Sequence, residues 1–485
     1  MNALSSLTPQ QHVIFDALLP FLQGRTAHGL AVLEGYAGTG KTFLVSALLA
    51  TLGRGLKVAI AAPTNKAVRV LKDKLIDAGA IIADAGEPGF HQRNAMPKNG
   101  CTCRSIHAFL GLKLKELENG QQEAFPDGPS TLCHYDLVII DECSMIDNTL
   151  FEKVLRGRNV APVLFIGDPA QLPPVHKDAV PSAVLSPVFD RVAVKYRLSE
   201  VVRQAEDNPI IRLSVTLRHL IEANVRAESL VLLSALPAIE SGPKALIVAG
   251  DPATLMDYFI AQRQEDPESD ARIIAYTNDR VQRYNQALHE RLHGATVTPF
   301  VQGERVIVHQ QCQARKQIDA ESGLFETARL VTSEELVVID AVNENHPFYP
   351  HIAACRLALR DATGARWEAY VALDSVQLAR ALQDCFDEHR RLKSQSEDCA
   401  DPEERAYWKE KARAASGKGW ALKAAFAPLR HAYAITAHKS QGSTFDCALV
   451  DFSDLEKIPD AFSFNRALYV AVTRSREFLA IVVTV

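Results

Sequence analysis

The run Gly35-Tyr-Ala-Gly-Thr-Gly-Lys41-Thr42 constrains this chain more than any other segment. It follows the apolar stretch Leu30–Glu34 and opens onto Phe43–Leu52, which is apolar at most positions and reads as a crossover helix. G-x-x-x-x-G-K-T between a strand and a helix is a phosphate-binding loop. Gly35, Gly38 and Gly40 allow backbone N–H groups to close around phosphates at the positive end of the helix. Lys41 is then placed to reach the β- and γ-phosphates of ATP, and the Thr42 hydroxyl to help hold Mg2+. The plain alternative, a glycine-rich turn met by chance, does not explain why both flanks are correct.

The flanking pattern predicts an α/β fold. Leu30–Glu34, Lys57–Ala62, Leu137–Asp141 and Val163–Gly167 are nearly continuous apolar runs, as parallel strands buried on both faces should be, and Val192–Arg197 is a fifth strand. Ligands bind outside the carboxyl ends of such strands, so the loops there should carry the chemistry. Residues 83–134 interrupt the alternation with Gly, Pro and polar residues. Within them Leu112-Lys-Leu-Lys precedes Asn119-Gly120, which predicts a β-hairpin somewhere in Gly111–Cys133; a plain surface loop is the alternative.

A second α/β pattern starts near Leu198, with strands at Ala245–Val248 and Arg272–Tyr276, and resumes at Ala432–Ala437, Ala448–Asp451 and Phe478–Val483. Between its halves, Gln302–Val376 has the short alternating runs of a small β-barrel: Glu304–His309, Glu335–Ala341, Cys355–Leu359 and Trp367–Ala372. Gln377–Ala425 is helical in propensity. Residues 384–404 hold eight acids and three bases and residues 405–430 seven bases and one acid, which predicts two solvated helices paired by charge.

Composition narrows the function classes. At 485 residues, a prior of ~150 per domain gives roughly three domains. The net charge of −5 excludes a wholly basic nucleic-acid coat, so any nucleic-acid contact must be a local groove. No apolar run approaches the ~18 residues of a membrane span, and Met1–Gln11 lacks the pattern of a secretory leader, so a cytoplasmic location and no membrane partner are expected. Nine cysteines without a C-x-x-C argue against a disulfide framework or zinc ribbon. Cys101, Cys103, His107 and Cys133 form the tightest cluster, read as reduced thiols rather than a metal site. Without a coiled-coil seam, a monomer is expected.

Three further segments add chemistry. Asp141-Glu142 ends a hydrophobic strand with two carboxylates: Asp141 is placed to hold Mg2+ and Glu142 to polarise an attacking water. An N-cap acid is the bland alternative, but the phosphate loop in the same domain favours hydrolysis. Gly167-Asp168-Pro169-Ala-Gln171-Leu-Pro-Pro174 offers, on a proline-stiffened turn, an amide at Gln171 that can sense the γ-phosphate. A small-molecule kinase would need an acceptor pocket and is disfavoured by the paired carboxylates.

These segments occur in the order found in superfamily-1 helicases, together with Asp-Glu-Cys-Ser-Met, Thr436-Ala-His438-Lys-Ser-Gln441-Gly442-Ser-Thr and Tyr469-Val-Ala-Val-Thr473-Arg474. The Gln-Leu-Pro-Pro and His-Lys-Ser-Gln-Gly forms resemble the 5′→3′ RecD-like branch, and the length and insertions most resemble the Dda-type phage helicases. The motif resemblance spans Leu7 to Arg474; the stretch 83–100 is an enlargement it does not explain.

The resemblance implies two RecA-like domains. The first comprises 1–82 and 135–198, with a hairpin region at 83–134. The second comprises 199–300 and 431–485, with an SH3-like barrel at 301–376 and a helical arm at 377–430 inserted. It implies an adenine-reading amide at Gln11, with Gln10 beside it leaving the register open. It implies ATP-facing arginines at Arg203 and Arg474, and Gln441 and Gly442 toward the nucleotide. DNA contacts fall to Pro63, Thr64 and Asn65, to Thr436, His438, Lys439 and Ser443, and to His107, for which a buried structural histidine is the alternative. Phe125, the aromatic residue between Gly111 and Cys133, is the candidate to stack on an opened base pair. The implied activity is ATP-dependent 5′→3′ DNA unwinding on single strands and single/double-strand junctions, with replication or recombination proteins as partners. The alternatives are a RecD-like repair or conjugation helicase and a P-loop ATPase that binds DNA without moving.

Overall fold

Five of the apolar and alternating runs, joined by one strand without such a run, pair side by side in the first part of the chain. The computed structural model describes residues 6–26, 29–52, 55–77, 99–116, 122–174, 184–200, 208–228, 244–319 and 323–483. The strands are β1 (Leu30–Gly35), β2 (Lys57–Ala62), β3 (Gly100–Ser105), β4 (Leu112–Glu116), β5 (Gln122–Pro126), β6 (Leu137–Ile140), β7 (Val163–Gly167) and β8 (Val194–Leu198). All but β4 and β5 form one parallel sheet in the order β3-β2-β6-β7-β1-β8. Residues of β1, β2, β6 and β7 are buried on both faces, between a cluster around Leu18, Leu48 and Ile60 and another around Phe109, Phe151 and Phe165. β8, at the margin, alternates buried and exposed positions instead. Because the strands are parallel, the segments after β1, β2, β3, β6 and β7 all emerge at one edge of the sheet.

Gly100–Ser105 is thus an edge strand of this sheet, and the insertion expected at 83–134 is shorter than the sequence suggested. β3 was missed because Gly-Cys-Thr-Cys-Arg-Ser has no apolar run; one side of the strand is enough, with Cys101 and Cys103 packed on the core. Burial pushes the Cys101 thiol up to about 11, as suits an inert core residue. β4 and β5 pair antiparallel from Leu112↔Pro126 to Glu116↔Gln122. The Asn119-Gly120 turn and the stretch 83–98 lie outside the described residues.

The chain divides into two compact units, Met1–Val281 with Ile435–Val485, and Gln282–Ala434. In the first unit, β9 (Lys244–Ala249) and β10 (Ala271–Ala275) begin a second sheet. The second unit carries β11 (Arg305–Val308), β12 (Cys312–Asp319), β13 (Leu324–Leu330), β14 (Glu335–Asn343), β15 (Ala354–Arg360), β16 (Arg366–Ala372) and β17 (Leu429–His431). These form one antiparallel sheet, in the order β13-β12-β16-β15-β14-β11-β17. Its hydrogen-bonded order runs from β13 to β17 around one core that includes Val306, Leu336, Leu357 and Trp367. β12 and β13 were missed because their faces expose charged and polar residues in place of a clean alternation.

Two helices of the second unit, Ser375–Asp398 and Pro402–Ala425, pack on each other. Their seam is apolar and aromatic: Leu392 meets Ala412, Ala415 and Trp408, and Phe386 meets Trp420 edge to face. Gly419 allows the close approach, since a Cβ there would come 3.0 Å from the Phe386 ring. The charge pairing expected from composition is therefore secondary, and Asp387–Arg390 and Lys393–Glu397 pair within the first helix. Back in the first unit, β18 (Ala434–Thr436), β19 (Phe445–Asp451) and β20 (Ser475–Val483) complete the second sheet, ordered β18-β10-β19-β20-β9. Its β10, β19, β20 and β9 are parallel. None of the described helices is long and apolar enough to cross a membrane.

The turn from β15 to β16 depends on one side chain. Asp361 accepts from the Trp367 indole at 3.0 Å and from the N–H groups of Thr363 and Ala365 at 2.8 and 3.0 Å. Burial pushes its carboxyl up, but these donors win and hold it below its ordinary value of 3.8. Asp361→Ala should cost about 1–3 kcal/mol by leaving the indole and amide donors without their acceptor. A depressed carboxyl stabilises the fold above its unfolded pKa and loses that contribution as pH falls through the folded one. The difference in thermal unfolding between the parent and Asp361→Ala should therefore shrink below about pH 4.

Candidate nucleotide and nucleic-acid site

The phosphate loop joins β1 to the helix Lys41–Leu52. Gly38 and Gly40 hold φ of +84° and +78°, values that L side chains avoid. A Cβ on Gly35 would come 2.7 Å from Thr39 Oγ1, which itself donates to the Tyr36 carbonyl at 2.9 Å. Lys41 Nζ donates to the carbonyls of Gly35 and Tyr36 at 2.6 and 2.9 Å, so its charge lies over the loop.

Gln11 is buried, its Oε1 accepts from Thr8 N at 3.0 Å and its Nε2 donates to the Thr39 carbonyl at 3.1 Å. This amide ties the first helix to the phosphate loop, with one N–H and one oxygen lone pair left over. Gln10 accepts instead from the backbone of Ser199 and Glu200, just after β8.

Asp141 and Glu142 follow β6 at the same sheet edge. Glu142 sits at φ +52°, a left-handed conformation uncommon outside glycine and found at functional sites. Its N–H donates to Asp141 Oδ1 at 2.8 Å. Burial pushes both carboxyls up, and Asp141 pushes Glu142 further; Arg474 and Lys41 oppose this at Glu142. A Cβ built on Gly442 would lie 3.7 Å from Glu142 Oε1 and 3.7 Å from the Ala67 side chain, so the second sheet's loop meets the first sheet here.

Three side chains make that junction polar. Gln441 Nε2 donates to Gln171 Oε1 at 3.0 Å and to Ser144 Oγ at 3.2 Å. The Tyr469 hydroxyl donates to Asp168 Oδ2 at 2.8 Å and accepts from Ala37 N, within the phosphate loop, at 3.1 Å. Arg474 is buried and aimed by the carbonyls of Val470 and Ser443 and by Thr473 Oγ1. Arg203 lies outside the described residues.

Two arginines at this junction escaped the sequence reading. Arg218 is buried over the Tyr36 ring, 4.0 Å from its centroid. Arg466 is buried 3.7 Å from the Phe462 ring centroid; burial lowers its pKa to about 10 while Asp168 opposes this. A trace existed in the sequence, because Arg466 and Tyr469 lie in Phe464–Val472, where every residue is buried. Polar groups in so apolar a helix need partners.

The nucleic-acid candidates are placed as follows. Thr64 Oγ1 accepts from Ala67 N at 3.2 Å and caps the helix Asn65–Asp77, just after Pro63. Thr436 Oγ1 accepts from Lys439 N at 3.2 Å and caps the turn Ala437–Ser440. Lys66 Nζ lies 6.0 Å from the Phe445 ring centroid, so these two segments, after β2 and after β18, belong to one surface. His438 packs near Tyr276, and burial lowers its pKa. Ser443 Oγ is buried without a hydrogen-bond partner. Burial also draws His107 toward the neutral form, and its Nδ1 is enclosed without a hydrogen-bond partner. Phe125 pairs with Lys113, one step from the hairpin base and away from its turn, which is a poor place for a tip wedge.

Hydrolysis of a nucleoside triphosphate at the junction of two parallel sheets is the activity class defined by this arrangement. Residues 7–227 match the family model described as an AAA domain, and residues 431–482 the UvrD-like helicase C-terminal domain. The ATP-dependent DNA helicase dda of Enterobacteria phage T4 is 24% identical over 487 residues, spanning 97% of this chain and 98% of that protein. The ATP-dependent RecD2 DNA helicase of Deinococcus radiodurans is 32% identical over 223 residues, 45% of this chain but only 25% of that longer protein. A crystal structure of Bacteroides Pif1 bound to single-stranded DNA aligns over 98% of this chain and 92% of that one, at 17% identity and a TM-score of 0.45. The chain is thus similar, over nearly its whole length, to a Dda-type phage DNA helicase and, over 45% of it, to a RecD2 DNA helicase.

Tyr469→Phe keeps the ring and removes only the bridge between Ala37 and Asp168. Leaving those two buried groups without this partner should cost about 1–3 kcal/mol, read as a lower melting temperature, and should weaken ATP binding by loosening the phosphate loop. Unchanged melting and unchanged nucleotide affinity would show that the hydroxyl couples nothing.

Proposed function

We propose that this protein is an ATP-driven motor that moves 5′→3′ along single-stranded DNA and unwinds duplex ahead of it. The observation that carries this reading is the segment Thr436–Ser443. Through Gln441 and Gly442 it reaches Gln171, Ser144 and Glu142 at the nucleotide side, and the same segment carries His438 and Lys439. A change at the γ-phosphate is thereby transmitted to a grip on the strand.

In this reading Lys41 holds the β- and γ-phosphates, and Glu142 takes the proton of the attacking water. Arg474, with Arg203 by family resemblance, faces the charge that develops in transfer. A threonine hydroxyl opening a helix and a buried strand-end carboxylate are hard oxygen donors that fit Mg2+, so Thr42 and Asp141 would hold it. When bound, the ion neutralises charge on the phosphate oxygens. Pro63, Thr64 and Asn65 on the first lobe and Thr436, His438, Lys439 and Ser443 on the second track the DNA backbone. The β4–β5 hairpin serves as the separating pin, and the antiparallel sheet with its helical arm as an SH3-like module over the strand. Residues 1–82 with 135–198, and 199–300 with 431–485, act as the two motor lobes.

Two partial duplexes test the motor, one with a 5′ single-stranded tail and one with a 3′ tail. The 5′-tailed duplex should be unwound and the 3′-tailed one left intact; the reverse would overturn the polarity. Glu142→Gln should bind ATP yet hydrolyse it poorly. Arg474→Ala should lose up to ~10³-fold in maximal turnover with DNA saturating. Turnover without unwinding of either substrate would mark a stationary ATPase.

A further inference from the structure

The second unit, Gln282–Ala434, holds a cluster of its own. His289 from the helix Asn278–His293, Glu304 just before β11 and His431 in β17 each offer one ligand atom, and these atoms lie within 4.8 Å of one another. Among the described residues this is where side chains able to ligate a metal converge, and not the Cys101, Cys103, His107 and Cys133 cluster that the sequence brought forward. The Glu304 side chain is fully buried and that of His289 is 10% exposed. His289 Nδ1 is enclosed, makes no hydrogen bond, and points at Glu304 Oε1 from 3.4 Å. His431 Nδ1 is hydrogen-bonded to the same oxygen. The two imidazole rings stack, 4.5 Å between centroids.

We propose that His289, Glu304 and His431 form a binding site for a divalent transition-metal ion of the zinc class. Two imidazoles and a carboxylate suit zinc, cobalt or nickel better than the oxygen-seeking magnesium. With bonds of ~2.0–2.1 Å, ligand atoms around a tetrahedral ion stand about 3.3 Å apart. The separation of Nδ1 of His289 and Oε1 of Glu304 already matches. His431 Nδ1 is bonded to the same oxygen, and an ion would take the place of the proton between them.

The outer partners are present too. His289 Nε2 lies 3.2 Å from Thr296 Oγ1, which fixes the ring and directs Nδ1 inward, and Tyr433 hydrogen-bonds Glu304. A cavity of about 360 Å³, lined by His289, His431, Glu290 and Gln286, opens over the two rings and leaves room for ion entry and a water as fourth ligand. The ion would be structural. It clamps the strand that opens the antiparallel sheet to the strand that ends it, because Val306 and His431 are paired neighbours in β11 and β17.

The test uses the full chain, stripped with a chelator and titrated with Zn2+ and with Co2+ as a spectroscopic probe. One equivalent should bind, Co2+ should give weak visible bands of nitrogen and oxygen ligation, and Zn2+ should raise the melting temperature. His289→Ala and Glu304→Gln should each weaken binding by more than the ~10–100-fold typical of losing an outer-shell partner. Circular dichroism of both variants, and undiminished ATP turnover, report that they fold. Three results would overturn the proposal: no stoichiometric binding, intense near-ultraviolet thiolate bands showing the ion on cysteine, or binding equal in parent and folded variants.

Discussion

Adjacent carboxylates at the closed end of a strand are a burden to any fold, and the motor site is organised around relieving it. Asp141 and Glu142 lose hydration and repel each other, and both effects favour the neutral acid. Two cations oppose this at Glu142, Lys41 from the phosphate loop and Arg474 from beyond the second sheet. Lys41 comes from the same sheet as the carboxylates and Arg474 from the second sheet, so the charge balance at Glu142 draws on both sheets.

The side-chain contacts that link the two sheets at this junction are polar. Gln441 with Gln171 and Ser144, and Tyr469 with Asp168 and Ala37, are hydrogen bonds between neutral or singly charged groups. Each contributes about 0.5–1.5 kcal/mol net, because water can replace the partner on opening. The left-handed backbone at Glu142 and the glycine at Gly442 bring the loops of the two sheets together at the paired carboxylates, with no side chain on Gly442 between them.

Much of this was readable in the chain. The four central strands of the first sheet announce themselves because burial on both faces demands continuous apolar runs, and the phosphate loop because only glycines satisfy its backbone. Edge strands were harder. β3 buries one side with two cysteines, and β12 and β13 carry Gln, Arg, Lys and Glu where the reading looked for alternation. The capping box of Thr8 with Gln11 is contained in the spacing itself, whereas the bond from Gln11 to the Thr39 carbonyl is visible only in the fold. Arg218 and Tyr469 required the tertiary fold, since their partners stand 181 and 301 residues away. His289, Glu304 and His431 are likewise too dispersed for any spacing rule to gather.

The second unit is built so that it can be inserted without loosening its own ends. Its chain enters and leaves through neighbouring strands, with β11 and β17 paired from Val306↔His431 to Val308↔Leu429. Closing the ends in this way removes most of the loop-closure cost of a long insertion, because the two ends are already held within one ladder. The ladder is only three pairs long, however, and short pairings fray from their ends. Glu304 lies at the vulnerable end, bound to His431 across the pair and accepting from Val301 N at 3.1 Å. Burial pushes its carboxyl up, but the His431 and Tyr433 hydrogen bonds prevail and hold it ionised. A buried charge of this sort stabilises only while its partners stay in place, so fraying at the root would expose an unpaired carboxylate and is opposed by that cost. The side chain that fastens the insertion is thus the same one that best offers a ligand to a metal ion, and reinforcement of the root and ion binding are one requirement met by one cluster.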